Sequence, residues 1–204
     1  LAEPIRYEVH YAKSGPARFL GHNDTVNARQ RVFRRAGVSV VHSAGFHPKP
    51  VMSFGPALPL GMAAGAEFME FKSDRDLDEA EFLAAANGVS PEGLRFLSLR
   101  RRGPGEPAVQ SRLRAAFYIV DLADPAFPSG IDAAEAAAKI RALAPAEPAF
   151  AWLESLEAGE TNLRLRAAFR ETKIPRPQDL IGRALGLSRP AFVMTREAFL
   201  FESL

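Results

Sequence analysis

His22 and Asp24 stand two residues apart at the head of a helix-forming stretch and are the best catalytic pair in the chain. An imidazole titrates near neutrality, so His22 is suited to act as general base in RNA cleavage. A carboxylate such as Asp24 can serve as the nucleophile in pseudouridine-synthase-like chemistry, which needs a basic cleft and no cofactor. The same residues have a plainer use: Asp24 or Asn23 caps the helix that follows, and His22 bonds nearby backbone.

Around this pair lie the groups that suit an anion. Lys13, Arg18, Arg35 and Lys49 gather around one cleft if the chain after the first helix folds back over it. Guanidinium groups grip phosphate through two parallel hydrogen bonds, and lysine adds a point charge. Gly15 and Gly45 allow backbone N–H groups to approach a phosphate closely. Phe46, His47 and Phe54 lie in a stretch with Pro48, Pro50, Pro56 and Pro59. Proline stiffens such a stretch before any partner arrives, and aromatic rings stack on bases. The alternative for the two phenylalanines is to tuck into the core.

These residues need elements to position them. Ile5, Tyr7, Val9 and Tyr11 alternate with polar residues, which is strand periodicity. A helix follows from Asn23 or Asp24, with Val26, Arg29, Phe33 and Ala36 on one face and Gly37 at its end. Val38–Val41 starts a strand, and a long loop covers residues 43–61. Glu67–Phe71 forms a strand, Asp76 or Asp78 opens a helix through Ala86, and Leu94–Leu99 closes the half. The second half repeats the order. Strands are expected at Leu113–Leu122, Phe150–Leu156, Asn162–Phe169 and Ala191–Phe201, with helices from Asp132 to Leu143 and Gln178 to Leu185.

Two successive β-α-β-β-α-β units imply an α+β protein built from two ferredoxin-like halves in pseudo-symmetric tandem. The expected boundaries are 1–102, a linker at 103–111 that opens with Gly-Pro-Gly-Glu-Pro, and 112–204.

Residues 11–71 carry a family resemblance. The pattern Y-x-K-x-G-x-x-R-F-x-x-H-x-D, then R-R-A-G, S-x-G-F-x-P-x-P, S-F and P-L-P-L-G, resembles the domain of unknown function associated with radical SAM proteins. The matching positions include Lys13, Arg18, His22, Asp24, Arg35, Ser43, Gly45, Phe46 and Phe54. Gly21, Asn23 and His47 depart from the family pattern. The resemblance implies a radical SAM protein as partner and an RNA-linked role. It adds Ser43 and Gly45 to the expected phosphate-binding set.

Composition narrows the classes. The chain has 204 residues and no cysteine, so thiolate metal sites, disulfides and an iron–sulfur cluster of its own are excluded. A radical enzyme would therefore be the partner. The formal net charge is only +2, but residues 1–55 hold eight Lys and Arg against three carboxylates. Clustered arginine of this kind is the pattern of a phosphate-binding face. All four histidines, His10, His22, His42 and His47, fall in this region without a metal-ligand spacing, so no metal and no cofactor are expected. No P-loop occurs, and no apolar run is long enough for a membrane span. Arg164, Arg166 and Arg170 either extend a basic track or form a plain solvent face.

The leading expectation is a cytoplasmic RNA-binding accessory protein, with no DNA specificity, that presents RNA to a radical SAM partner for modification or processing. The alternatives are an RNA-modifying or RNA-cleaving enzyme using Asp24 and His22, or a protein-docking subunit whose contact surface is the loop at 43–61.

Overall fold

The structure is a computed structural model and describes residues 3–125, 127, 131–169, 175–188 and 190–203. It is a mixed α+β protein. It divides into two compact units, one of residues 1–60, 65–112 and 203–204, the other of residues 61–64 and 113–202.

The first unit contains β1 (Ile5–Lys13), α1 (His22–Arg35), β2 (Met52–Phe54), β3 (Ala63–Ser73, its first two residues belonging to the second unit), α2 (Glu79–Gly88) and β4 (Leu94–Arg101). Its strands lie in the order β4-β1-β3-β2. Period-two alternation places Tyr7, Val9 and Tyr11 of β1 in the core with Met69 and Phe71 of β3. Phe33 of α1 packs among the rings of Phe71, Phe82 and Phe96 at centroid distances of 5.0, 5.5 and 5.6 Å. Aromatic pairs at such spacings add about 0.5–1.5 kcal/mol each beyond area burial. The β1–β4 register shifts between His10 and Tyr11. At that bulge the Asn87 side chain donates to the Phe96 carbonyl at 3.0 Å and accepts from its N–H at 2.8 Å.

Asp78 caps α2 as expected, its Oδ1 accepting from the Glu81 N–H at 3.0 Å. The start of α1 differs from the expectation. Gly21 is its N-cap without a side-chain bond, and Asn23 and Asp24 lie inside the first turn. There Asp24 serves by its charge near the positive helix end.

The strand expected at Val38–Val41 is also displaced. That segment carries two ladder-type bonds, both at Val41: its N–H donates to the Lys72 carbonyl at 2.8 Å and its carbonyl accepts from the Val51 N–H at 2.8 Å. The strand that pairs with β3 on the side away from β1 is β2, inside the stretch read as loop, with Met52, Ser53 and Phe54 opposite Phe71, Glu70 and Met69. Residues 43–49 form a narrow hairpin below the bridge between His42 and Pro50. Ser43 N–H donates to the Lys49 carbonyl at 2.8 Å, and Lys49 N–H donates to Ser43 Oγ at 3.1 Å. Proline spacing suggested an unbroken loop because each proline removes a donor, yet Val51–Phe54 keeps its own N–H groups and pairs.

The segment expected as a linker is bonded within the first unit. Glu106 accepts from Arg100 at 3.0 Å and from the Gly103 N–H at 2.7 Å, and Val109 N–H donates to Glu70 at 3.1 Å.

The second unit contains β5 (Leu113–Asp121), α3 (Ala133–Leu143), β6 (Leu153–Ala158), β7 (Asn162–Ala168), α4 (Pro177–Leu185) and β8 (Met194–Phe201). Its strands lie in the order β8-β5-β7-β6, with every adjacent pair antiparallel. Ala63 and Ala64 run parallel beside Thr195 and Arg196. The Asp132 cap on α3 and the left-handed Gly186 after α4 follow the expected signals. The last strand starts later than expected, because residues 190–193 form a 3-10 turn.

Candidate functional site

The first unit buries an unusual set of charges where β1 ends and α1 begins. Lys13, Arg29 and Glu67 are at most 3% exposed. Each stands on the inward face of its element: Lys13 follows Tyr7, Val9 and Tyr11, and Glu67 precedes Met69 and Phe71. Lys13 Nζ donates to the Leu20 carbonyl at 2.7 Å, which ties the strand end to the turn before α1. Arg29 Nε donates to the Thr25 carbonyl at 3.1 Å, and its guanidinium donates to the Tyr11 hydroxyl. The same guanidinium lies over the rings of Tyr11 and Phe54 at 4.6 and 4.3 Å. Burial lowers the Arg29 pKa from its ordinary value, while Tyr11 and Glu67 oppose that shift.

These groups surround a hollow of about 20 Å³, together with His22, Pro56 and Leu58. That volume accepts one water and no substrate. The buried set therefore works as a clamp. It fixes α1 against β1 and β3 and holds residues 54–58 over the helix start.

The open space lies along the other sides of α1. One cavity of about 530 Å³ is bounded by the helix and the chain between Val38 and Met52. A second, of about 550 Å³, is bounded by the helix, Leu20 and residues 88–91. Arg31 lines both; Arg34 lines the first and Arg35 the second. All three arginines are exposed, and among the described residues none is held in an ion pair. The contrast with the sheet arginines is sharp: Arg6, Arg100, Arg101 and Arg102 all pair with carboxylates. Exposed, unpaired cations keep their full capacity for an incoming anion.

The residues singled out from the sequence fall into separate groups. Lys13 and Phe54 meet at the small hollow, which the exposed His22 also lines. Asp24 and Arg35 line the 550 Å³ cavity, so His22 and Asp24 line different spaces. Arg18 sits half-buried in the 3-10 helix Gly15–Phe19. Ser43, Gly45, Phe46, His47 and Lys49 are exposed on the hairpin. Gly45 has φ +128°, a conformation that favours glycine, and Phe46 is fully exposed at 103%. Phe54 is half-buried, with one face covered by Arg29, so it belongs to the clamp rather than to the open surface. The one hollow expected to collect Lys13, Arg18, Arg35 and Lys49 is not formed, because β1 aims Lys13 inward while Arg35 ends a 14-residue helix.

In the second unit, Arg166 pairs with Glu154 at 2.8 Å and Arg164 is exposed; Arg170 lies outside the described residues. Among the described residues, no group of three or more His, Asp or Glu is placed to hold a metal ion. No described helix is long and apolar enough to cross a membrane.

A clamped helix that offers unpaired arginines to open cavities defines this chain as an α+β protein with a candidate anion-binding surface. The chain belongs to the family described as "uncharacterized protein conserved in bacteria" (DUF2344), which matches residues 6–192. No curated protein matches it. A crystal structure of an unknown protein from Galdieria sulphuraria is similar at 15% identity over 99% of each chain, with a TM-score of 0.27.

Proposed function

We propose that the protein is an RNA-binding accessory subunit that presents RNA to a radical SAM partner. The observation that carries this reading is the outer surface of α1, where Arg31, Arg34 and Arg35 stand exposed and unpaired among the described residues. The hairpin adds Phe46, His47 and Lys49, all exposed. Cations for phosphates and a ring for a base are the two parts of single-strand recognition. The architecture in this reading is a pseudo-symmetric tandem of two ferredoxin-like halves, since each unit runs β-α-β-β-α-β in the strand order 4-1-3-2. The radical SAM partner comes from the motif resemblance over residues 11–71 and from the absence of cysteine for a cluster in this chain.

Filter binding of total tRNA and of rRNA fragments across a salt series tests the RNA part. Binding should weaken steeply with salt, and Arg31→Gln with Arg35→Gln should lower the log–log slope by about 1 per removed phosphate contact. No binding, or a flat slope, overturns it. Co-purification with a radical SAM protein of the same organism, with and without nuclease, tests the partner. Association that survives nuclease favours direct protein docking, and no association removes the partner from the reading.

A further inference from the structure

The 530 Å³ cavity is built from two walls of different chemistry. Its helical wall carries Asn27, Gln30, Arg31 and Arg34, which are spaced i, i+3, i+4 and i+7 and so form one stripe of α1. Its other wall is extended chain. Val38, Val40 and His42 alternate along one side, with Pro50 and Met52 from the returning strand. Phe33 contributes to the same lining.

Each part answers a different portion of one ligand. Valine, proline and methionine surfaces suit a flat, polarisable ring, and methionine adapts to its outline. Asparagine and glutamine amides carry both a donor and an acceptor, the combination that reads a base edge. Arg31 and Arg34 supply guanidinium forks for a phosphate. His42 Nδ1 lies 2.9 Å from the Val40 carbonyl. A carbonyl only accepts, so Nδ1 carries the proton, and in the neutral ring Nε2 is left to accept from a ribose hydroxyl. The volume falls within the roughly 300–1,000 Å³ of sites that take small ligands. A bare phosphate leaves the apolar wall unused, and an acyl chain leaves the amides unused.

We infer that this cavity holds a single nucleotide residue, its base against Val38, Val40 and Met52 and its phosphate on Arg31 and Arg34. The inference rests on the RNA reading above and deepens it: the RNA is engaged through one unpaired nucleotide lifted from its stack. None of Asn27, Gln30, Arg31, Arg34 or His42 belongs to the set expected from the sequence.

The test uses the full chain and the four nucleoside 5′-monophosphates, followed by calorimetry and amide chemical shifts, with ribose 5-phosphate and an acidic peptide as controls. At least one monophosphate should bind and shift residues 27–34 and 38–52. Ribose 5-phosphate should bind on the order of tenfold more weakly, since the base contributes the difference. Val40→Trp fills the cavity and should abolish monophosphate binding. Arg34→Gln, an exposed change that leaves the fold alone, should weaken it on the order of tenfold. RNA should bind Val40→Trp more weakly and with a salt slope lower by about 1, since the phosphate on Arg31 and Arg34 leaves with the nucleotide.

If RNA binds while no monophosphate shifts the cavity and Val40→Trp binds RNA like the wild type, the inference is overturned and the RNA reading stands. Equal binding of ribose 5-phosphate or of the acidic peptide also overturns it, since the surface then reads charge alone. If a monophosphate binds as described while RNA does not, the nucleotide site stands and the RNA reading falls.

Discussion

The Arg29 guanidinium lies 4.3 Å from the centre of the Phe54 ring and bonds at its edge to the Tyr11 hydroxyl, so one buried cation joins α1, β1 and β2. It is 1% exposed; burial disfavours its charge, and Tyr11 and Glu67 favour it. Arg29→Met should destabilise the protein by about 2–4 kcal/mol, because it removes the bonds to the Thr25 carbonyl and the Tyr11 hydroxyl and the cation's contacts with two rings. Arg29→Lys should recover only part of the loss, since an ammonium lacks the planar fork and stacks less well between rings. Urea unfolding followed by circular dichroism measures both. A wild-type midpoint for Arg29→Met would show that the clamp contributes nothing.

The outer face of β1 carries a second, more exposed charge network with a pH signature. Burial alone would raise the Glu8 pKa. Hydrogen bonds from His10 at 2.8 Å and from Arg100 at 2.6 Å, with the Arg100 charge, outweigh it and carry the pKa from 4.5 to about 2. A carboxylate depressed in the folded state contributes its full stability above the unfolded value and loses it as pH falls through the folded one. The contribution should therefore be whole above pH 5 and fade between about 4.5 and about 2. Its ceiling is on the order of 3 kcal/mol, and less once solvent screening around the half-exposed Arg100 is counted. Unfolding midpoints of the wild type and Glu8→Gln should differ at neutral pH and converge across that window. A constant gap between pH 6 and pH 2 would contradict this.

Much of the clamp was legible in the sequence, although its meaning was not. Arg29 shares a helix face with Phe33, and Lys13 continues the inward alternation of Tyr7, Val9 and Tyr11. Glu67 does the same ahead of Met69 and Phe71. Periodicity alone thus marks all three as inward-facing charges, although Lys13 reads by its type as a phosphate ligand. The cavity wall at Val38–His42 was harder. Its alternation is strand-like, and whether it pairs depends on where β2 lies, which is a tertiary competition for the edge of β3. The element order was readable because caps and turns punctuate it, as at Asp78, Asp132 and Gly186. The scattering of the expected phosphate ligands was not, since it follows from the direction of each side chain rather than from its type.

Gly93 couples the start of β4 to the turn that follows Lys13. Its φ is +82°, and a Cβ there would fall on the Ser14 carbonyl oxygen and within 3.1 Å of the Ala17 Cβ. Ser14 N–H donates to the Gly93 carbonyl at 2.8 Å, so the two backbones are in direct contact. Gly93→Ala should cost about 2 kcal/mol or more, from the left-handed conformation together with the clash. Hydrogen exchange should show the loss first at residues 13–20, where the displaced backbone lies. Uniform loss across the unit would instead point to a general effect of the substitution.

Phe46 presents the opposite case, a large apolar side chain with no folded-state duty. Its ring is fully exposed beside Gly45, on a hairpin held by the Ser43–Lys49 bonds and stiffened by Pro48 and Pro50. Removing a ring that touches only water should leave the unfolding midpoint within about 0.5 kcal/mol of wild type. If the ring stacks on a base, Phe46→Ala should weaken RNA binding by roughly tenfold, the lower end of the 1–3 kcal/mol that such stacking contributes. The salt slope should not move, because no phosphate contact is lost. Phe46→Trp should retain or improve binding, since indole offers the larger face. A change in slope without a change in affinity at low salt would place Phe46 outside the contact and return the hairpin to its three polar neighbours, Ser43, His47 and Lys49.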